Sequence, residues 1–178
     1  MGDELDVPWP PPPMATSRLI IRATQASDRP GCIELLCSAQ VRRYLGGPRT
    51  RATLEAELPV TPHSRPGAFA AEAEGRFLGM VTVARRAASR PGHLARGGSE
   101  LEISYTFLPD AWGHGYAYEA VTQVLTWIAS AMPHEPVVLC TQVANARSVG
   151  LAERLGFVEA QRFEEFGAEQ WFGVRDSG

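Results

Sequence analysis

The chain has 178 residues, which fits a single domain with a sizeable core. Apolar residues make up 44% of it and charged residues 21%, a composition that argues against a disordered or membrane-spanning protein. The formal net charge of −3 gives no general reason to expect nucleic-acid binding. All 17 basic residues are arginine, which excludes a lysine base, Schiff base or phosphate ligand. The acidic, proline-rich start lacks the pattern of a secretory signal and favours a cytoplasmic protein.

The N-terminal segment differs in composition from the rest of the chain. Residues 1–15 contain WPPPP and are predicted to be an arm that is disordered or lies as a strap at an interface, because proline has no amide donor and fixes φ. Residues 16–178 are predicted to form one domain, since no linker or repeat interrupts them. An alternative for the arm is docking in an aromatic groove of another protein, as proline-rich segments do.

Hydrophobic periodicity predicts the elements of residues 16–178. The clearest strand is SELEISYTFLP, in which polar and apolar residues alternate. The clearest helix has apolar residues at spacings of three and four from Ala117 to Met132, and Pro133 ends it. In chain order the predicted elements are a strand in SRLIIRAT, helices over 27–45 and 50–58, two strands joined at Glu74–Gly75, the strand SELEISYTFLP, the long helix, the strand VVLCTQV, a helix from an Asn145 cap to Leu155, and two strands about Gly167. This order predicts an α+β fold, a mixed sheet with helices packed on it.

The segment PDAWGHGYAYEA places two glycines and an alanine at alternate positions directly before the long helix. Unpaired amides at a helix N-terminus bind phosphate, and glycine lets the ligand approach closely. Gly113, Gly115 and Ala117 fit this role. A Walker loop is excluded because lysine is absent, and a dinucleotide fingerprint because Tyr118 stands where glycine or alanine is required. The alternative is that the glycines only end a strand and permit tight packing.

Two segments in this order resemble a known superfamily. EISYTFLPDAWGHGYAYEA is similar to the pyrophosphate-binding motif of the GNAT acetyl-CoA-dependent N-acetyltransferases, and NARSVGLAERLGF is similar to their Asn-x-x-Ser…Leu-Gly-Phe helix. SRLIIRATQASD and RRYLGGP resemble the branch that includes the Rim-type ribosomal-protein N-terminal acetyltransferases. The likeness extends over residues 16–175.

The resemblance implies the GNAT acyl-CoA N-acyltransferase fold, in which a central mixed, mostly antiparallel sheet splays between its fourth and fifth strands and is flanked by helices. The pantetheine arm of acetyl-CoA would hydrogen-bond the backbone of residues 105–107, and the amides of residues 113–117 would hold the pyrophosphate without a metal ion. His114 stands where the family usually has lysine or arginine, and Trp112 replaces its glutamine or arginine and is expected to pack. The implied cofactor contacts are Tyr105, Thr106, Phe107, Trp112, Gly113, His114, Gly115, Tyr116, Ala117, Asn145 and Ser148.

The implied reaction moves acetyl from the thioester to a primary amine, which requires a neutral amine and a proton for the leaving thiolate. Glu102 and then Glu100 are the candidate general bases, since both lie on one face of the predicted strand and a partly buried carboxylate has a raised pKa. Alternatively, both face solvent or pair with arginine. Ser148 is the candidate acid by likeness to a serine of the Rim-type branch, although its hydroxyl can instead support the helix start. Ala152 replaces the tyrosine that many members use as the acid.

An enzyme of this kind would bind acetyl-CoA together with an amine acceptor, either a protein or peptide N-terminus or a small molecule, and the amine would attack directly in a ternary complex. A monomer or homodimer is expected, with no metal, membrane or nucleic-acid partner. The alternative is a non-catalytic sensor or scaffold of the same fold, which binds CoA without turnover. The absence of the tyrosine at position 152 is the reason for considering it.

Two further groups of residues carry less specific signals. Clustered arginines would favour an anionic ligand or be ordinary solvated loop charge. The cysteines lack metal-ligand spacing and are expected to be reduced residues of the core. The arginines are Arg42, Arg43, Arg49 and Arg51, and Arg85, Arg86, Arg90 and Arg96; the cysteines are Cys32, Cys37 and Cys140.

Overall fold

The computed structural model describes residues 5–95 and 98–176, and within them the strands form one sheet. The strands are β1 (Met14–Ala15), β2 (Ile20–Ala23), β3 (Ala68–Ala73), β4 (Arg76–Arg85), β5 (Leu101–Phe107), β6 (Val137–Gln142), β7 (Val158–Glu165) and β8 (Ala168–Arg175). The α-helices are α1 (Arg29–Cys37), α2 (Arg51–Glu57), α3 (Tyr116–Ala131) and α4 (Ala146–Arg154). None of the helices in these ranges is both long enough and apolar enough to cross a membrane.

The strand order is β1-β2-β3-β4-β5-β6-β8-β7. The β5–β6 pair is parallel, and the β1–β2, β2–β3, β3–β4, β6–β8 and β7–β8 pairs are antiparallel. The predicted α+β fold with a mixed, mostly antiparallel sheet is therefore confirmed. The fourth and fifth predicted strands are β5 and β6, because the short strand β1 was not predicted from the sequence.

The chain divides into two compact units, each assembled from separate stretches of sequence. The first, which we call the loop unit, comprises Pro8–Thr82 and Tyr105–Val124. The second, which we call the C-terminal unit, comprises Met1–Val7, Val83–Ser104 and Leu125–Gly178. Strands β4 and β5 contribute residues to both units.

In the loop unit, α1 buries apolar side chains together with residues of the sheet. Strands β3 and β4 form the predicted hairpin, and its turn residues Glu74 and Gly75 have φ values of 50° and 75°. Positive φ at both central positions is what a type I′ hairpin turn requires. The buried cluster that holds α1 consists of Cys32, Leu35, Ala68, Met80 and Leu108.

Part of the N-terminal arm is packed within the loop unit. The Trp9 ring meets Phe69 edge-on, with 5.0 Å between ring centroids. Met14 and Ala15 then pair with β2 as an edge strand, a position that tolerates the prolines before it. Residues 1–4 lie outside the described residues, and an interface role for the arm stays a prediction.

Helix α1 ends earlier than the sequence predicted. It stops at Cys37, whereas the apolar pattern predicted a helix to Leu45. Ser38 adopts an extended conformation with ψ of 117°, which ends the helical path of the backbone. The Arg42 side chain then donates hydrogen bonds to the carbonyls of Gly47 (2.6 Å) and Leu45, so residues after the helix form turns.

The C-terminal unit is built around β8, which pairs with β6 and with β7. Trp171 and Phe172 of β8 are buried, and Phe166 and Gly167 form the predicted turn with φ values of 55° and 72°. The parallel pairing of β5 with β6 joins Leu101 to Val137 and Glu102 to Val138. Strand β6 pairs with β8 from Val137 to Gln142.

Gly79 in β4 is expected to be intolerant of any side chain. A Cβ at this position would lie 2.4 Å from the Thr106 carbonyl oxygen and 2.7 Å from the Phe107 ring, and a backbone oxygen cannot move aside cheaply. We predict that Gly79→Ala lowers the free energy of unfolding by about 1–3 kcal/mol, measured by urea denaturation. Gly150→Ala in α4 is the control: a Cβ there meets no described atom within 4 Å, and alanine should stabilise the helix. Equal effects of both variants would contradict the prediction.

The cysteines are unpaired thiols, and only one of them belongs fully to the core. Cys32 is buried, and burial followed by the Asp28 charge raises the pKa of its thiol to about 12. Cys140 is half-buried, and burial raises the pKa of its thiol to about 11. Cys37 is also half-buried. The prediction of core thiols is therefore confirmed for Cys32, and the other two lie at the edge of the packed interior.

Candidate functional site

Residues 112–115, which we call the glycine loop, lie directly before α3 and have a backbone that requires glycine at two positions. Gly113 and Gly115 have φ values of 79° and 78°, in the left-handed region that other residues rarely adopt. Residues 112–115 are all exposed. A Cβ on Gly113 would meet no described atom within 4 Å, and one on Gly115 would meet only an Arg18 nitrogen, at 3.5 Å. The glycines therefore do not serve tight packing against the protein.

The first turn of α3 offers amide groups to this open loop. The first hydrogen bond at the helix start runs from the Glu119 amide to the Gly115 carbonyl, at 3.1 Å. The amides of Tyr116, Ala117 and Tyr118 consequently have no acceptor within the helix. Helix α3 has 16 residues, so its dipole adds positive potential at this end. Two glycines without side chains, followed by helix amides that have no acceptor within the helix, suit an anion such as a diphosphate.

The end of β5 is joined to the same loop by Trp112. Its indole Nε1 donates a hydrogen bond to the Phe107 carbonyl at 2.8 Å, but Trp112 is 36% exposed and is not buried in the core. The Leu108 amide donates to the Leu78 carbonyl at 2.8 Å, so the chain leaving β5 is held against β4. Backbone contact of residues 105–107 with a cofactor stays a prediction.

Glu102 lies in an ion-pair cluster of the C-terminal unit. Its carboxylate accepts a hydrogen bond from Arg86 at 2.8 Å and pairs with Arg90 at 3.2 Å. Arg90 also pairs with Glu165 of β7, at 2.8 Å. The Glu102 side chain is 16% exposed, and the Arg86 side chain is fully buried. Pairing with arginine was the alternative that the sequence left open for Glu102.

Glu100 lies just before β5, where it binds the preceding loop. Its carboxylate contacts His93 Nδ1 at 2.7 Å and accepts a hydrogen bond from the Leu94 amide at 2.7 Å. Burial tends to raise the pKa of Glu100, but the hydrogen bonds from His93 and from the backbone outweigh it and lower the pKa. The raised pKa expected of Glu100 is therefore wrong. The Glu100 carboxylate therefore joins His93, and the Glu102 carboxylate joins the arginines.

Asn145 and Ser148 meet at the start of α4, also in the C-terminal unit. The Asn145 side chain caps the helix by accepting a hydrogen bond from the Ser148 amide at 3.4 Å, which confirms the predicted cap. Asn145 Nδ2 donates to the Thr141 hydroxyl at 3.4 Å, which fixes the cap to the end of β6. Ala152 is fully buried in the same helix. Position 152 thus packs in the interior of the unit.

The arginines at the end of β4 and in the segment after it have specific partners that the sequence did not predict. Arg86 is buried, and its guanidinium donates hydrogen bonds to the Gly92 carbonyl at 2.7 Å and to the Pro91 carbonyl. The guanidinium carbon lies 5.2 Å from the centroid of the Phe172 ring. Ordinary solvated loop charge is therefore the wrong interpretation for Arg86. Arg85 pairs with Glu135. Arg96 lies outside the described residues.

Removal of the Arg86 guanidinium is expected to destabilise the protein strongly. The Arg86→Met variant would leave the Gly92 carbonyl and part of the Glu102 carboxylate without their donor. We predict a loss of about 1–3 kcal/mol in the free energy of unfolding, measured by urea denaturation, because these acceptors lose their donor while Glu102 keeps only its pair with Arg90. Arg162→Met is the matched control: Arg162 pairs with Glu159 at the surface, and its loss should be undetectable. Similar losses in both variants would contradict this account.

Comparison with known proteins identifies the family to which a chain with this sheet, loop and capped helix belongs. A family model described as "Acetyltransferase (GNAT) domain" matches residues 18–158. The chain therefore belongs to the GNAT acetyltransferase family.

Solved structures of acetyltransferases share the fold at low sequence identity. An acetyltransferase from Agrobacterium tumefaciens is 19% identical, with a TM-score of 0.73 over 97% of this chain and 98% of that one. Spermidine N-acetyltransferase from Vibrio cholerae, solved with CoA and spermine, is 20% identical, with a TM-score of 0.70 over 91% and 97%. RimL, a ribosomal alpha-N-protein acetyltransferase, is 15% identical, with a TM-score of 0.69 over 92% of both chains.

Proposed function

We propose that the chain is an acetyl-CoA-dependent N-acetyltransferase that moves an acetyl group to a primary amine. The observation that carries the proposal is the glycine loop, in which two left-handed glycines precede three amides of α3 that have no acceptor within the helix. Membership of the GNAT acetyltransferase family supports it. The low-identity neighbours named for amine acceptors are in keeping with it.

In this proposal the loop unit binds the cofactor. The backbone amides of residues 113–117 would hold the diphosphate, and the bare Gly113 would allow its close approach. Residues 105–107 would bind the pantetheine arm through their backbone. Trp112 and His114, which belong to the loop, would lie beside the cofactor. When bound, acetyl-CoA supplies the acetyl thioester. The loop's role is to fix that group in place, so that transfer becomes effectively unimolecular.

The proton transfers are assigned to the C-terminal unit. An amine attacks only in its neutral form, and Glu102 is proposed to accept the proton that the nitrogen loses. Ser148 is proposed to give a proton to the departing thiolate, and the Asn145 cap positions its backbone. Glu100 is the weaker candidate for the base, because its carboxylate is engaged by His93 and Leu94 and its pKa is lowered.

For the acceptor we propose the α-amine of a protein or peptide N-terminus, as in the Rim-type branch, with a small-molecule amine as the other acceptor class. Segments SRLIIRATQASD and RRYLGGP support this branch by their resemblance, and RimL is among the structures with the same fold. The Vibrio cholerae neighbour is named for spermidine, so polyamines belong in the same test.

A second candidate function is CoA binding without catalysis, in a sensor or scaffold. The observation that favours it is Ala152, which is fully buried where many members of the family have the tyrosine that donates a proton. In this case the glycine loop would bind CoA as above, and no amine would be acetylated.

Calorimetric titration with CoA and a thiol-release assay separate these functions. The assay contains acetyl-CoA and a panel of short peptides with free N-termini, polyamines and other primary amines. Binding together with thiol release supports the enzyme, and binding without release on any amine supports the sensor. Absence of binding at millimolar CoA would contradict both, because the glycine loop is required in each.

A further inference from the structure

Glu119, in the first turn of α3, is bound by the segment that precedes β2. Its carboxylate accepts hydrogen bonds from the Thr16 hydroxyl, the Ser17 hydroxyl at 3.1 Å and the Arg18 amide at 3.0 Å. The Arg18 guanidinium adds a hydrogen bond from Nε at 2.8 Å and a second nitrogen at 2.7 Å. Five donor contacts thus fasten residues 16–18 to the helix that follows the glycine loop.

Arg18 also reaches the glycine loop itself. Another of its guanidinium nitrogens donates to the His114 carbonyl at 2.8 Å, and its carbon lies 4.7 Å from the centroid of the Tyr116 ring. A trans peptide is planar, and its carbonyl and amide point in opposite directions. Holding the His114 carbonyl toward Arg18 therefore aims the Gly115 amide away from Arg18.

The same contacts also place the positive charge of Arg18 beside the negative charge of Glu119. An acidic residue in the first turn stabilises a helix, but its negative charge opposes the binding of a second anion there. Burial tends to raise the pKa of Glu119, but hydrogen bonds from Thr16, Arg18 and Ser17 outweigh it and lower the pKa, so the carboxylate is ionised. Arg18 places a positive charge directly on that carboxylate. Since the chain has no lysine, arginine is the residue available for this purpose.

We propose that Arg18 is a positioning residue for the glycine loop: it orients the loop amides and neutralises Glu119, so that the loop accepts a diphosphate. This inference rests on the proposed function, because it assumes that the loop binds CoA. Arg18 acts through His114 and Glu119, and its side chain is 46% exposed. Exposed ion pairs contribute little to stability, so Arg18 has its main effect on phosphate binding.

The test compares CoA with pantetheine, which has the thiol arm but no phosphate, by titration of the full chain. Arg18→Gln should raise the Kd of CoA about tenfold, since charge-assisted hydrogen bonds are lost. The Kd of pantetheine should change by less than about twofold, and the melting temperature by less than about 3 °C. Arg51→Gln is the control, because Arg51 forms an exposed pair with Glu55 and should leave both Kd values unchanged.

Results that differ from these expected Kd values overturn the inference. An unchanged CoA Kd in Arg18→Gln, or an equal rise for CoA and pantetheine, would make Arg18 an ordinary surface residue while CoA binding by the wild type still stands. If the wild type itself fails to bind CoA, the proposed function fails, and the inference fails with it. Should Arg18→Gln not fold, Arg18→Lys carries the test: lysine lacks the guanidinium fork, and a rise of about threefold for CoA alone is expected.

Discussion

Replacement of Gly115 by glutamate is expected to raise the Kd of CoA by about 100-fold or more, measured by calorimetric titration. Gly115 has φ of 78°, and its carbonyl accepts the first hydrogen bond at the start of α3. A side chain here is strained by the left-handed backbone, and its Cβ would lie 3.5 Å from an Arg18 nitrogen, so it also disturbs the residue that is proposed to position the loop. A carboxylate would also repel the diphosphate directly.

The matched control is Gly75→Glu in the β3–β4 turn of the same unit. Gly75 has φ of 75° and no described atom within 4 Å of the position of a Cβ, so this variant adds the same charge under the same backbone strain. Its Kd for CoA should remain within about twofold of the wild type. Gly115→Ala separates strain from charge, because alanine keeps the strain and adds no carboxylate. If Gly115→Glu bound CoA as well as the control, the diphosphate would not lie on this loop.

Much of the fold follows from local sequence. The hairpin turns at Glu74–Gly75 and Phe166–Gly167 were predicted at the correct residues, because positive φ selects glycine at these points. Strand β5 was predicted from alternation and α3 from a spacing of three and four, patterns that depend on neighbours a few residues apart. The glycine loop was found for the same reason: its two glycines and the following helix are adjacent in sequence.

Contacts between residues far apart in sequence were not predictable in this way. Glu119 binds Arg18 across a separation of 101 residues, and SRLIIRAT was interpreted as a strand and as part of a family resemblance, with no contact predicted for Arg18. The available signals were an acidic residue in the first turn of a helix that is proposed to bind phosphate and a chain without lysine, which together favour a compensating arginine. Helix α1 shows the opposite error, since its apolar pattern continues beyond Cys37 where the backbone already turns.

The carboxylates of Glu100 and Glu102, at the start of β5, show why site chemistry is harder to predict than strands. Alternation placed Glu100 and Glu102 on one face, but their partners come from residues 86–94, which have no periodicity. The buried Arg86 pairs with Glu102, and His93 contacts Glu100. Whether a carboxylate is available as a base depends on these partners, and a pattern in the strand carries no information about them.

The Glu102→Gln variant is expected to lower kcat/KM by about 100- to 10,000-fold on an amine that the wild type acetylates, because a general base contributes about that factor. Glutamine has nearly the same shape and can still accept the hydrogen bond from Arg86, so urea denaturation and the Kd of CoA serve as checks on folding and binding. Glu100→Gln is the matched comparison, since its carboxylate is engaged by His93 and Leu94. Its loss should be smaller by about tenfold or more.

The rate and the stability of Glu102→Gln together distinguish a base from a partner of the arginines. If Glu102 accepts the proton, Glu102→Gln loses most of the rate while folding and CoA binding are kept. If the carboxylate only holds Arg86 and Arg90, the variant loses stability and keeps the rate. Retention of the rate would make the cluster structural, and direct attack by an amine that is already neutral would then need no carboxylate.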